Sequence, residues 1–331
     1  MSLTTLVERP EVKSLLDSLL PAYTRNLRLE RQVAPASSAR GHAAVVGTAF
    51  DYALRFEIRR MARFIATRQD VRTRRWIAED AAERYQNCMN RERTRQRFGP
   101  SQEADVFKAL CEARVFEAQW ADSQRVTSKQ RRKLAWHCAR LASIDSFYRA
   151  GTRALPFRLS PSEAVVADVA SLLAHAPVAD MLGEGPVALN PSFGTASLAA
   201  GGADADIVIG DLLVDVKTTR KCLIERDISR QLMGYMLLSR VGHVDDSRVP
   251  LVRRIGVYFA RFAHLFVFEP IRAAEAQMDA AAEKLMRLAA LARIEAYERQ
   301  LQMLGELAAR TQSAKAAPAL CGRKSKQPAG P

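Results

Sequence analysis

Two apolar runs, Ile207-Val208-Ile209 and Leu212-Leu213-Val214, meet at Gly210-Asp211, and no other stretch limits the fold of this chain so tightly. Both runs are short and rich in β-branched residues. The dipeptide between them places glycine where a two-residue hairpin turn needs φ > 0. That turn sets a register: Ile209 faces Leu212, Val208 faces Leu213 and Ile207 faces Val214, and by extension Asp206 faces Asp215 and Asp204 faces Lys217. Near-continuous apolar runs of this kind are typical of strands covered on both faces, as in the sheet of an α/β protein.

Residues two apart on a strand share a face, and opposed residues hold their Cβ atoms roughly 4.5–5.5 Å apart. The register therefore gathers Asp204, Asp206, Asp215 and Lys217 on one patch. Facing carboxylates repel and need a cation. Lys217 is one, and Mg²⁺, which prefers carboxylate and water oxygens, is a better one. An ordinary surface ion pair is the plain alternative; the continuous apolar runs weigh against it, because buried carboxylates must be paired or bind metal. Downstream, residues 227–240 read as a helix with Gln231 and Tyr235 four apart on one face.

Asp206, then Asp215-x-Lys217 ending an apolar strand, then Gln231-x-x-x-Tyr235 on the next helix, resemble the PD-(D/E)XK nuclease superfamily and within it the RecB-type branch. The likeness covers roughly residues 200 to 240. It implies a restriction-endonuclease-like mixed sheet flanked by helices, with Mg²⁺ (Mn²⁺ as substitute) held by Asp206, Asp215 and the Val216 carbonyl. Lys217 would orient or deprotonate the attacking water, and Gln231 and Tyr235 would position the nucleic-acid backbone. The family also wants an acid on an upstream helix. Residues 45–58 have helical apolar spacing and are similar to the Gly-x-x-x-His opening of RecB-type domains, but Asp51 stands where histidine is expected and Arg55 follows four later. Glu57 and Asp51 are both candidates for the third catalytic and metal-binding acid. Glu163 is another, although acids in a helix's first turn also serve its dipole. The implied reaction is metal-dependent phosphodiester hydrolysis of DNA, or of RNA. The alternatives are a nucleic-acid-binding protein that has lost cleavage on the same scaffold, and an interaction module.

A net charge of +14 agrees with a polyanionic partner. The charge is concentrated in runs at 72–75, 91–97 and 129–133, where arginine can clamp phosphates. Five scattered cysteines form no C-x-x-C pair and argue against a zinc ribbon, and only Cys222 and Cys321 follow the core, too few for an iron–sulfur cluster. Reduced thiols and the lack of any apolar stretch near ~18 residues predict a cytoplasmic protein with no membrane segment. No Gly-x-x-x-x-Gly-Lys-Ser/Thr loop or Gly-x-Ser-x-Gly elbow is present.

The chain is expected to divide into a mainly helical region, 1–160, a nuclease core with a C-terminal helix, 161–311, and a disordered basic tail, 312–331. From Ala43 to about Ala150 the pattern is almost wholly helical, with Trp76, Tyr85, Phe107, Phe116, Trp120 and Trp136 spaced as core positions. A long helix from Pro270 to about Thr311 should pack on the sheet or on a second copy, giving a homodimer.

Overall fold

A computed structural model describes the whole chain except residues 1, 21–24, 36–40, 66–69, 92–95, 98–100, 184, 243–250, 269–274 and 317–331. The helices are α1 Leu3–Leu6, α2 Pro10–Asp17, α3 Ala43–Phe64, α4 Ile77–Met89, α5 Glu103–Ala121, α6 Ser128–Ala150, α7 Glu163–Ala174, α8 Val178–Met181, α9 Gly194–Ala199, α10 Arg226–Gly242 and α11 Glu275–Ala316. The strands are β1 Arg25–Asn26, β2 Val71–Thr73, β3 Val187–Leu189, β4 Ile207–Ile209, β5 Leu212–Lys217, β6 Leu223–Ile224, β7 Arg254–Phe259 and β8 His264–Phe268.

Six strands form one open mixed sheet in the order β2-β3-β4-β5-β7-β8, and β1 pairs separately with β6. Only β2–β3 and β5–β7 are parallel. The central hairpin has the expected register, Ile207 opposite Val214 and Ile209 opposite Leu212. Gly210 supplies the positive φ, 56°, at the first turn position. Asp211 then anchors the turn through Arg254 at 2.6 and 2.9 Å.

The alternation of the two runs divides them between two cores. Ile207, Ile209, Leu212 and Val214 join the layer built from α3, α4, α6 and α7, whereas Val208 and Leu213 join that of α1, α2, α10 and α11. All six are buried. Each such side chain contributes about 1.5–3 kcal/mol relative to exposure, which makes a one-residue slip of this hairpin prohibitive.

Several expectations are corrected here. Within the region 43–150, expected to be almost wholly helical, Val71–Thr73 instead forms β2 on the sheet edge. Three residues are too few to show a period-two pattern. Residues on either side of 160 share a core: β2 hydrogen-bonds to β3, and one apolar cluster runs from Val33 through α3–α7 to Tyr258 and Ala260. Phe107 is 47% exposed rather than a core residue. Helix α11 is described over Glu275–Ala316, so 312–316 are helical, while the expected start at Pro270 and the rest of the expected disordered tail lie outside the described residues. The proximal part of α11 buries Met278, Leu285 and Ala289 in the core that α10 shares, while Leu301, Leu304 and Leu307 are exposed. Cys88, Cys111, Cys138 and Cys222 are free thiols. Among the described residues no helix is long and apolar enough to cross a membrane.

Candidate active site

Asp206 stands just before β4, tied by both its backbone and its side chain. Its carbonyl accepts from the Asn190 amide at 2.8 Å, and its Oδ2 accepts from the Val216 amide at 2.7 Å. Asn190 adopts φ 54°, a left-handed conformation that asparagine tolerates better than most residues. The N–H and C=O of one strand residue point the same way, so the Val216 carbonyl faces the edge that carries Asp206. On β5, Asp215 and Lys217 share one face, with Nζ 3.1 Å from Asp215 Oδ1 and 2.9 Å from Oδ2. Asp204 does not face Lys217. Regular pairing of the hairpin stops at Ile207, and the preceding segment bridges Ser192 instead, leaving Asp204 paired with Arg74 at 2.8 Å.

Helix α3 crosses the end of β5. A Cβ at Gly47 would lie 3.3 Å from Thr218 Oγ1, so glycine permits that close approach. One turn later comes Asp51, and one turn after that Arg55, whose guanidinium pairs with Asp51 Oδ2. The Asp51 side chain keeps 22% of its surface, but Oδ1 itself is occluded and has no hydrogen-bond partner. Burial raises the Asp51 carboxyl to about 7; Arg55 opposes the rise, and the charges of Asp206 and Asp145 add to it. Burial likewise raises Asp215 to about 6, with Lys217 opposing and Asp206 adding. For Lys217, burial pulls the ammonium down, but Asp215 and Asp206 outweigh it and leave the pKa raised. Lys217 is therefore a cation at neutral pH and not a ready base.

The other two candidates for the third acid lie elsewhere. Glu57 is six residues past Asp51, about 240° around the helix. Its carboxylate is held by Arg60 at 2.6 and 2.8 Å and by the Trp120 indole at 3.1 Å. Glu163 pairs with Arg132 at the exposed start of α7. From α10, Gln231 Nε2 donates to Tyr235 Oη at 3.0 Å. Burial pushes the Tyr235 hydroxyl up, the Gln231 bond opposes, and the charges of Asp206 and Asp215 add, so Tyr235 remains a neutral O–H beside the carboxylates.

Arg261, just after β7, is a residue that motif reading misses. Its Nε donates to the Thr218 carbonyl at 2.9 Å, while its two terminal nitrogens grip Asp168 of α7 at 2.9 and 2.8 Å. Both side chains are buried, Arg261 at 5% exposure and Asp168 at 3%. A lone acid inside the apolar helix 165–173 was the available signal, because such a group needs a cationic partner.

The donor set suits a hard cation. Asp206, Asp215 and Asp51 offer carboxylate oxygen, Val216 a carbonyl, and Asp51 Oδ1 is buried without a hydrogen bond. As the side chains stand, no group of three His, Cys, Asp or Glu among the described residues is arranged to hold an ion. Comparison with protein-family models, curated proteins and solved structures returns no match.

The raised carboxyls make a signed prediction. A carboxyl whose folded pKa exceeds its unfolded value holds its proton more tightly when folded. Its contribution is thus fully present below the unfolded pKa of about 4 and declines as pH rises, through about 6 for Asp215 and about 7 for Asp51. Metal-free protein should lose melting temperature between about pH 4 and 7, and Asp51→Asn should flatten that decline. A scan of melting temperature against pH, parent beside variant, reads this directly; parallel curves would refute it.

Proposed function

We propose that this chain is a metal-dependent nuclease of the PD-(D/E)XK type, hydrolysing phosphodiester bonds of DNA or RNA on a restriction-endonuclease-like sheet. The observation that carries the reading is the junction of Asp206 with the Asp215-Val216-Lys217 strand, the Val216 amide clamping one acid beside the other. Asp51 supports it from α3, since Asp206 acts on its ionisation.

Asp206, Asp215 and the Val216 carbonyl would hold Mg²⁺, with Asp51 as third acid once Arg55 releases it. Bound there, the ion would activate water and compensate charge at the scissile phosphate. Lys217, as an ammonium, orients the nucleophile and offsets developing negative charge at the phosphoryl oxygens. Tyr235 Oη keeps its proton for a backbone phosphate, and Gln231 orients that hydroxyl.

Purified protein should cleave labelled DNA or RNA with Mg²⁺ or Mn²⁺ and stop on chelation. Failure on both nucleic acids, with no metal-dependent rise in melting temperature, would overturn the reading. A second reading, binding without cleavage, has one observation in its favour: Arg55, 6% exposed, sits on Asp51 and already supplies the cation that the third acid needs.

The two α3 acids separate cleanly. Asp51→Asn should lower cleavage about 10²-fold, the scale of one lost electrostatic contact. Glu57→Gln should leave cleavage within a few-fold and cost about 1–3 kcal/mol of stability by breaking a part-buried charged bond. Single-turnover rates beside urea unfolding of both variants check this pair.

A further inference from the structure

Helices α5 and α6 enclose two adjoining hollows that share Glu112 and Trp136 as common wall, one reaching His137 and the other Arg140 and Arg158. His137 is 4% exposed, and neither ring nitrogen has a hydrogen-bond partner. Its ring stacks on Phe116 with centroids 4.9 Å apart and planes 24° from parallel. Arg140 is 6% exposed; it pairs with Glu112 but leaves Nε without a partner. Buried polar atoms left unmade are costly, so the three here, two on His137 at one hollow and one on Arg140 at the adjoining hollow, point to a ligand that completes them.

Lys133 lines the hollow that reaches His137, and Lys129 and Arg131 precede it on the same helix. Lys129, Arg131 and Lys133 lie in the first turns of α6, where the helix dipole disfavours positive charge. Among the described residues no Asp or Glu forms an ion pair with these three, whereas Arg132 pairs with Glu163. The arginine run at 72–75 differs: Arg72, Arg74 and Arg75 are matched by Asp70, Asp204 and Glu83. Compared with the run at 72–75, the tract on α6 keeps more of its charge available to a polyanion. Burial, with Arg140 and Lys133, pushes the His137 ring down to about 4, so at neutral pH it offers one donor and one acceptor. That pairing of donor and acceptor matches the edge of a nucleobase.

We infer that the α5–α6 groove is a track for single-stranded nucleic acid, with phosphates along Lys129, Arg131 and Lys133 and a base seated against Trp136 with its edge on His137. Unpaired strands fit because only they present a free base face to an aromatic side chain. The inference deepens the nuclease reading by naming the form of substrate, and it rests on that reading for its purpose only, since binding is measured without cleavage.

The test is fluorescence anisotropy of a labelled oligothymidine with the full chain carrying Asp215→Asn. Adding Trp136→Ala should weaken binding about 5- to 100-fold, and Trp136→Phe should keep it within about threefold. Replacing Lys129, Arg131 and Lys133 together by glutamine should flatten the slope of log K against log salt by about 2, at roughly 0.7 per phosphate contact. Lys129 and Lys133 are exposed and Arg131 is half-buried, so that variant carries the test even if Trp136→Ala fails to fold. Unchanged affinity and slope in the folded triple variant, equal weakening for duplex, or tighter binding of polyglutamate than of the oligonucleotide would each overturn the proposal. Strong, groove-dependent binding by a parent chain that cleaves nothing would remove the nuclease reading and keep the groove.

Discussion

Asp215→Asn should reduce metal-dependent cleavage at least about 10³-fold while the protein still folds, a loss expected when the acid anchoring the reacting charges is neutralised. Asparagine preserves shape and removes only the negative charge that Lys217 and a cation share. Lys217→Ala should lose about 10²- to 10³-fold by a different route, through missing charge compensation at the phosphate. Lys217→Arg should restore little, because a planar guanidinium cannot replace a compact ammonium 2.9 Å from a carboxylate oxygen. Single-turnover rates at saturating Mn²⁺ distinguish these effects from weakened metal binding. Cleavage by Asp215→Asn at the parental rate would leave the hairpin with no chemical role.

The second large effect concerns stability. Asp168→Ala should lower unfolding free energy by about 3–5 kcal/mol, because it strands the Arg261 guanidinium in an interior with 5% exposure. Replacing both partners with apolar residues, Asp168→Leu with Arg261→Met, should cost much less than Asp168→Ala alone, since no buried charge is left behind. Urea denaturation followed by circular dichroism gives both numbers. A double variant as unstable as the single would show that the charges themselves, and not their mutual neutralisation, hold α7 to the sheet. Because Arg261 also holds the Thr218 carbonyl, Asp168→Ala should slow cleavage too, by loosening the turn that follows Lys217.

The hairpin was legible because its determinants are local. Ile207 to Val214 alternate between two apolar layers, and Gly210 sits at the one position that needs positive φ, so strand, turn and register follow from adjacent residues. The starts of α6 and α7 are local as well: Thr127 with Gln130 and Ser162 with the Val165 amide cap them within one turn. Strand β2 was not, because Val71–Thr73 is extended only through its pairing with Val187–Leu189, more than a hundred residues away. Asp204 shows the limit of extending a register. Pairing on paper continues indefinitely, whereas the chain leaves it once the Ser192 segment offers Asp204 another partner.

For the site, sequence spacing alone was enough to put Asp206, Asp215 and Lys217 together and to set Gln231 one turn from Tyr235, since strand and helix periods carry that information. Choosing among Asp51, Glu57 and Glu163 lay beyond it. A helix with acids at two azimuths satisfies the same apolar pattern whichever acid faces the sheet, and only the crossing of α3 over Thr218 turns Asp51 inward and leaves Glu57 to Arg60 and Trp120. The Arg261–Asp168 clamp and the α5–α6 groove are likewise products of packing, for they join charges and rings whose proximity arises only when distant helices close on one another.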